Sequence, residues 1–237
     1  MEIKSYKKAF EYSYTFGIFP TIELIKSKPE KVIKVLVSTK YKSDSDMNIF
    51  EFCKNHNIET EINDKVINRI SDKENNFVVG VFSKYECKLD INKSHVVLVN
   101  PSNMGNMGTI IRTLTGFGLN NLAIISPAVD IFDPKVIRSS MGSLFRINFK
   151  YYENFNTYNT MFANHKKYPF MLDGATSLKE VNHDKNELFS LIFGNEATGL
   201  DSSYSSVGKS IFINHTDRID SLNLTIAAGI ALYHFYE

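Results

Sequence analysis

The stretch HVVLVNPSNMGNMGTIIRTLTGFG, His95 to Gly118, decides how the rest of the chain is read. It opens on a continuous apolar run, the pattern of a strand buried on both faces. It then passes through a polar, Asn- and Gly-rich turn and becomes helical. Ile110, Leu114 and Phe117 share one face at i, i+4 and i+7, which points Arg112 away from the core, and Gly118 marks the helix end. Strand, polar turn and helix in that order make the first half of a βαβ unit whose turn is a place for a ligand. The spacing of Gly105 and Gly108 is not GxGxxG, and GxxxxGK[ST] occurs nowhere, which argues against a dinucleotide site and a P-loop. The aspartate-plus-glycines loop of the commonest methyltransferase fold is missing as well.

Working outward, strands and helices alternate from His95 to the C-terminus. LAIISP reads as a strand, PKVIRSSMGSLF as a helix, PFMLD, LFSLIFG and KSIFI as strands, and SLNLTIAAGIALYHFYE as a closing helix. Such alternation predicts an α/β fold with a mostly parallel sheet covered on both faces. Before His95 lies a smaller α/β unit. FPTIELIKS and MNIFEFCKNH have helical periodicity, VIKVLVS and NFVVGVF are strand-like, ETEIN is short and extended, and KVINRIS is a short helical stretch. YECKLDINKS has neither period and reads as a linker near residue 88. Two domains are therefore expected, residues 1–87 and 93–237.

The 237 residues, 43% hydrophobic and 22% charged, are those of an ordinary globular chain able to bury a core. No apolar stretch approaches the ~18–20 residues of a membrane span, and MEIKSYKKAF lacks a signal peptide's apolar region. Cys53 and Cys87 stand in neither CxxC nor metal-ligand spacing, so a cytoplasmic setting with no structural metal is expected. The net charge of +1 hides an asymmetry: residues 1–43 carry nine lysines against four glutamates. This basic segment is either a solvated lysine-rich face or a surface for a polyanion.

Three polar stretches follow predicted strands, where ligands of open α/β sheets bind. NPSNMGNMGTIIR follows VVLV, GNEATGL follows LFSLIF, and NHTDRIDSLN follows KSIFI. In the first, Asn106 is either a helix cap or a site residue, and Arg112 is either a surface ion-pair partner or a ligand for an anion. In the second, Glu196 stands beside a glycine-flanked turn, placed to hold a cation or a hydroxyl or to cap a helix before DSSYSS. In the third, Ser221 opens a helix whose Ala227, Ala228, Gly229 and Ala231 permit close backbone packing or a dimer contact.

Together the three stretches resemble the signature motifs of the SpoU (TrmH-type) RNA 2′-O-ribose methyltransferases of the SPOUT superfamily. Asn106, Gly108 and Arg112 match Asn-x-Gly-x-x-x-Arg. Gly194, Glu196, Gly199 and Leu200 match Gly-x-Glu-x-x-Gly-Leu, and Ser221 to Asn223 match Ser-Leu-Asn. The likeness covers about residues 95–237, and the N-terminal part is similar, more weakly, to the L30e-like RNA-binding domain. One departure stands out: the family's Ile-Pro-Met-x-Gly reads here Ile213-Asn214-His215-Thr216-Asp217.

The resemblance implies a deep trefoil knot in the C-terminal domain and S-adenosylmethionine as cofactor. Gly194, Asn195, Ile213 and Leu222 would then contact the cofactor. Arg112, Asn106, Glu196, Ser221 and Asn223 would make up the catalytic set. The arginine is the family's proposed general base. A guanidinium pKa above ~12 fits better a grip on phosphate or a developing alkoxide. The same likeness implies a homodimer acting on RNA, ribosomal before transfer RNA, with transfer RNA or a non-catalytic RNA-binding role as alternatives.

Overall fold

The computed structural model describes residues 2–43, 48–71, 75–184 and 186–236. Backbone contacts divide the chain into two compact units, residues 1–85 with 130–146, and residues 86–129 with 147–237.

The first unit runs β1 (Tyr12–Phe16), α1 (Ile18–Ser27), β2 (Val32–Val37), α2 (Ile49–Asn55), β3 (Thr60–Ile62), α3 (Asp64–Ile70) and β4 (Val78–Ser83). Its four strands form one sheet in the order β1-β4-β2-β3, with only β2 and β3 parallel. Successive residues of VIKVLV point to opposite faces. Val35 and Val37 therefore pack with Ile22, Ile25, Ile49 and Cys53 of α1 and α2, while Leu36 packs with Ile67 and Ile70 of α3. Asn48 and Asn63 cap α2 and α3 with their side-chain oxygens. Met47, where the expected second helix begins, lies outside the described residues, as does Glu237 at the end of the closing helix.

The second unit contains β5 (His95–Val99), α4 (Met104–Gly116) and β6 (Asn121–Ile125); α5 (Pro134–Ser139) then belongs to the first unit. The second unit continues with β7 (Asn148–Tyr152), α6 (Phe155–Met161), β8 (Lys166–Pro169), β9 (Thr176–Ser177), β10 (Phe189–Phe193), β11 (Ile211–Phe212) and α7 (Leu224–Tyr236). Five strands form an all-parallel sheet in the order β7-β6-β5-β10-β8. On one face Val97, Val99, Ala123, Ile125 and Ile192 pack with Phe155, Tyr158 and Phe162 of and beside α6. On the other, Phe189 and Tyr168 meet Phe235 of α7 at ring separations of 4.9 and 5.0 Å. At the N-terminal edge of this sheet a buried polar chain links His95 Nδ1 to Tyr158 Oη (3.0 Å), Tyr158 to Ser190 Oγ (2.7 Å) and Ser190 to His165 Nδ1 (3.0 Å).

Several elements differ from the sequence reading. β1 was not expected, because EYSYTF alternates hydroxyl and aromatic side chains without an apolar run. Its hydroxyls are used in the fold: Ser13 Oγ donates to the Phe132 carbonyl (2.5 Å), and Thr15 Oγ1 accepts from Gly80 N (2.9 Å). β7 and α6 were also unread. KSIFI yields only the short β11, paired with β9 outside the main sheet, and PFMLD is shifted, with β8 ending at Pro169. The stretch PKVIRSSMGSLF forms α5 and a 3-10 turn at Ser143–Arg146.

That stretch also rejoins the first unit. The Asp130 carboxylate accepts from Lys84 Nζ (3.0 Å) and from the Tyr6 hydroxyl. The Phe82 ring finds its partners in Phe132 (5.9 Å) and Phe145 (5.2 Å), and Arg146 pairs with Glu23 (2.5 Å). The chain thus passes between the units at 85/86, 129/130 and 146/147 rather than once near residue 88.

Candidate active site

β5 and β10 are adjacent and parallel, with Leu98 paired to Phe193, so the turns leaving their carboxyl ends lie side by side. Asn195 ties them together. Its Nδ2 donates to the Asn100 carbonyl (2.7 Å) and to Ser102 Oγ (3.2 Å), while its Oδ1 accepts from Ala197 N (2.8 Å). Gly194 must be glycine: a Cβ there would sit 2.1 Å from the Gly199 carbonyl carbon and 2.4 Å from Leu200 N, both backbone atoms.

Glu196 completes the junction. One carboxylate oxygen accepts from Ser102 N (3.1 Å) and Ser102 Oγ (2.8 Å), the other from Asn103 N (3.1 Å) and, at 3.5 Å, Asn106 Nδ2. Burial pushes this carboxyl upward. The hydrogen bonds from its own N–H, from Ser102 and from Asn103 outweigh it and hold Glu196 below the usual carboxylate range.

Beside this junction opens a cavity of about 420 Å³, within the range of small-molecule sites. Its walls come from four segments: Phe170 to Asp173, Phe193 to Leu200, Ile211 to Ile213 with His215, and Ser221, Leu222 and Leu224 with Ala227. The lining is mostly apolar side chains and backbone. Among the described residues Asp173 and Glu196 are its carboxylates, and no lysine or arginine lines it. The loop after β11 is pinned by side chains, with Ser177 Oγ donating to Asn214 Oδ1 and His215 Nδ1 bonded to the Ile213 carbonyl (2.8 Å).

Gly194, Asn195, Glu196, Ile213, Ser221 and Leu222 meet at this cavity. Asn106 reaches it indirectly, through Glu196. Arg112 is exposed on α4 and makes no hydrogen bond or ion pair among the described residues. Asn223 lies outside the lining, its Oδ1 accepting from Thr225 N (2.8 Å) and Thr225 Oγ1 (2.7 Å) at the start of α7.

The capping assignments change accordingly. Asn103, not Asn106, caps α4, because the helix begins at Met104. Asn223 rather than Ser221 serves α7, and Asp201 rather than Glu196 caps the 3-10 turn at Ser202–Ser206. Sequence reasoning missed Ser102 and Asp173. Ser102 sat within a quoted loop, but its partner lies 94 residues away. Among the described residues no helix is long and apolar enough to cross a membrane, and no metal-binding cluster occurs.

Comparison with known proteins supplies the context. The SpoU rRNA Methylase family matches residues 93–233. Over 133 residues the chain is 31% identical to the 23S rRNA (guanosine(2553)-2'-O)-methyltransferase RlmP of Bacillus subtilis (strain 168), an alignment covering 55% of this chain and 52% of that protein. The chain spans about half the length of the curated relatives it matches. Two solved structures share the fold. The SpoU methyltransferase AviRb from Streptomyces viridochromogenes has a TM-score of 0.80 at 20% identity, over 95% of this chain and 89% of that one. An AdoMet-bound rRNA methyltransferase from Sinorhizobium meliloti has a TM-score of 0.78 at 24% identity, over 95% and 87%.

Proposed function

The chain belongs to the SpoU rRNA Methylase family, and from that premise we propose that it is an S-adenosylmethionine-dependent RNA 2′-O-ribose methyltransferase. The observation that carries the reading is the cavity at the carboxyl edge of β10, where the loops bearing the second and third family motifs meet. Its content fits an adenosine-bearing sulfonium. Phe193, Leu200, Ile211 and Leu222 offer apolar walls, Gly194 lets backbone approach closely, and the acidic lining suits a cation. Gly194, Asn195, Ile213 and Leu222 are the residues that would hold the cofactor, which when bound supplies an electrophilic methyl group.

The chain's own residues must then orient and activate the ribose. Arg112, exposed and without an internal partner, is free to grip a phosphate or a developing alkoxide. Glu196 braces the start of α4, the helix that carries Asn106 and Arg112. Ser221 faces the cavity, and Asn223 orders the entry to α7.

The same reading extends to further features of the whole protein. A trefoil knot is supported by the tight backbone crossing at Gly174, whose Cβ would lie 2.5 Å from the Ile211 carbonyl carbon. A homodimer is supported by an exposed apolar stripe on α7, Ile226 (54%), Ile230 (39%) and Tyr233 (60%). RNA binding by the first unit is supported by the excess of lysine over glutamate in residues 1–43. Ribosomal RNA is favoured over transfer RNA by the name of the Bacillus relative. Both cysteines are free, as in the reducing cytoplasm.

The test incubates the full chain with S-adenosylmethionine and unmodified ribosomal and transfer RNA, then quantifies 2′-O-methyl nucleosides after digestion. A single new 2′-O-methyl nucleoside that is lost in Arg112→Ala is the expected result. Turnover unchanged in Arg112→Ala refutes both roles given to the arginine. Absence of methylation and of cofactor binding refutes the enzyme and leaves a non-catalytic RNA-binding protein.

A further inference from the structure

We propose that Asp173 is the specificity-determining charge of the cavity, selecting the cationic cofactor over the neutral thioether left after transfer. The inference rests on the methyltransferase reading and concerns how the same site empties.

Among the described residues the cavity is lined by two carboxylates and the imidazole of His215, and by no lysine or arginine. Both oxygens of Glu196 are engaged by the backbone and side chains of Ser102, Asn103 and Asn106, so its charge is already balanced by donors. Asp173 is different. It stands exposed at the turn after Phe170–Leu172, and its carboxylate makes no hydrogen bond or ion pair among the described residues. The turn is held in place by the close packing of Gly174 on Ile211, which fixes Asp173 on the cavity rim.

The reaction changes the charge that this carboxylate sees. The S–CH3 bond of the sulfonium breaks and its electron pair stays on sulfur. The O–CH3 bond forms, and the hydroxyl proton leaves to solvent. The bound species therefore loses one positive charge. Asp173 lines the same cavity of about 420 Å³, the volume of a sphere about 9 Å across, so the carboxylate and the sulfur are separated by distances of that order. At such separations, with the partial solvent screening of a rim, one unit of charge changes affinity by about three- to tenfold. Asp173 thus strengthens binding of the cofactor and relaxes its hold on the product, which favours release and turnover.

The experiment titrates the full chain calorimetrically with S-adenosylmethionine, with S-adenosylhomocysteine, and with sinefungin, whose amine keeps a positive charge near the sulfur position. Asp173→Asn is compared with wild type and with Asp173→Glu. Asp173→Asn is expected to weaken S-adenosylmethionine and sinefungin about three- to tenfold while S-adenosylhomocysteine stays within twofold. Asp173→Glu should restore the preference, and raised salt should erode it in wild type. Equal weakening of all three ligands would make Asp173 a structural residue and overturn the proposal, as would no change in any. Should wild type bind none of the three, the methyltransferase reading itself falls. Asp173→Ser, with no net charge and a smaller side chain, gives the same contrast if the asparagine variant fails to fold.

Discussion

Glu196→Gln tests whether the carboxylate is the brace between the two central turns. The amide keeps the shape but replaces one acceptor oxygen with a donor. With the NH2 group toward Asn103 and Asn106, two donors face a donor. Toward Ser102, the hydroxyl can turn and accept, but the Ser102 N–H still loses its partner. The cheaper orientation therefore costs at least one charge-assisted hydrogen bond and the charge on the others. This amounts to about 2 kcal/mol once partial exposure is discounted. For a chain of this size that corresponds to a Tm lowered by about 4–8 °C. It also implies roughly 30-fold faster exchange of the Ser102 and Asn103 amides, if they exchange by local opening. The folded Glu196 carboxyl titrates below its unfolded value. Its stabilisation is present above the ordinary range near ~4.3 and is lost as pH falls through the lower folded value, so the variant should show a flatter acid limb. Calorimetry and amide exchange between pH 3 and 7 give the answer. An unchanged Tm together with unchanged exchange at residues 102 and 103 would refute the brace.

Gly194→Ala forces a Cβ into backbone 2.1 Å away, so the 194–200 turn must move by more than 1 Å; cofactor Kd, measured by calorimetry, should rise at least tenfold. Ser177→Ala and Asn214→Ala should be non-additive in a double-mutant cycle on thermal stability, with a coupling of about 0.5–1.5 kcal/mol from their shared hydrogen bond. His95 and His165 are held below the ordinary imidazole value by burial, His165 at about 4. The unfolded chain then binds more protons between about 4 and 6.5, and urea denaturation should show stability falling as pH drops through that window, with a smaller slope in His165→Leu. Tyr233→Lys places a charge in the exposed stripe of α7, and for the proposed homodimer it should shift sedimentation from dimer to monomer.

The parts of the fold that were legible are those where one element decides its own burial. VVLV is apolar throughout, and LFSLIF apolar but for the buried Ser190, because β5 and β10 are covered on both faces, and both read as strands at once. β1 was illegible because Ser13 and Thr15 look solvent-facing, and only Phe132 and Gly80, distant in sequence, show why hydroxyls are tolerated there. β8, β9 and β11 are short elements whose extents are set by crossings such as Gly174 on Ile211. In the site, the three loops were visible as patterns, but the division of labour was not. Asn103 takes the cap that the pattern offered to Asn106, and the partners of Glu196 are backbone amides that no side-chain motif can record.

The return of residues 130–146 to the first unit has a consequence for synthesis. When residues 1–85 have left the ribosome, Phe82 still lacks Phe132 and Phe145, Ser13 lacks the Phe132 carbonyl, and Lys84 lacks Asp130. At translation rates of about 5–20 residues per second, the chain needs roughly 3–12 s more to deliver those partners. The N-terminal unit is therefore first made and late finished. A fragment cut at the apparent linker would be stranded at this stage, with Phe82 lacking both of those ring partners.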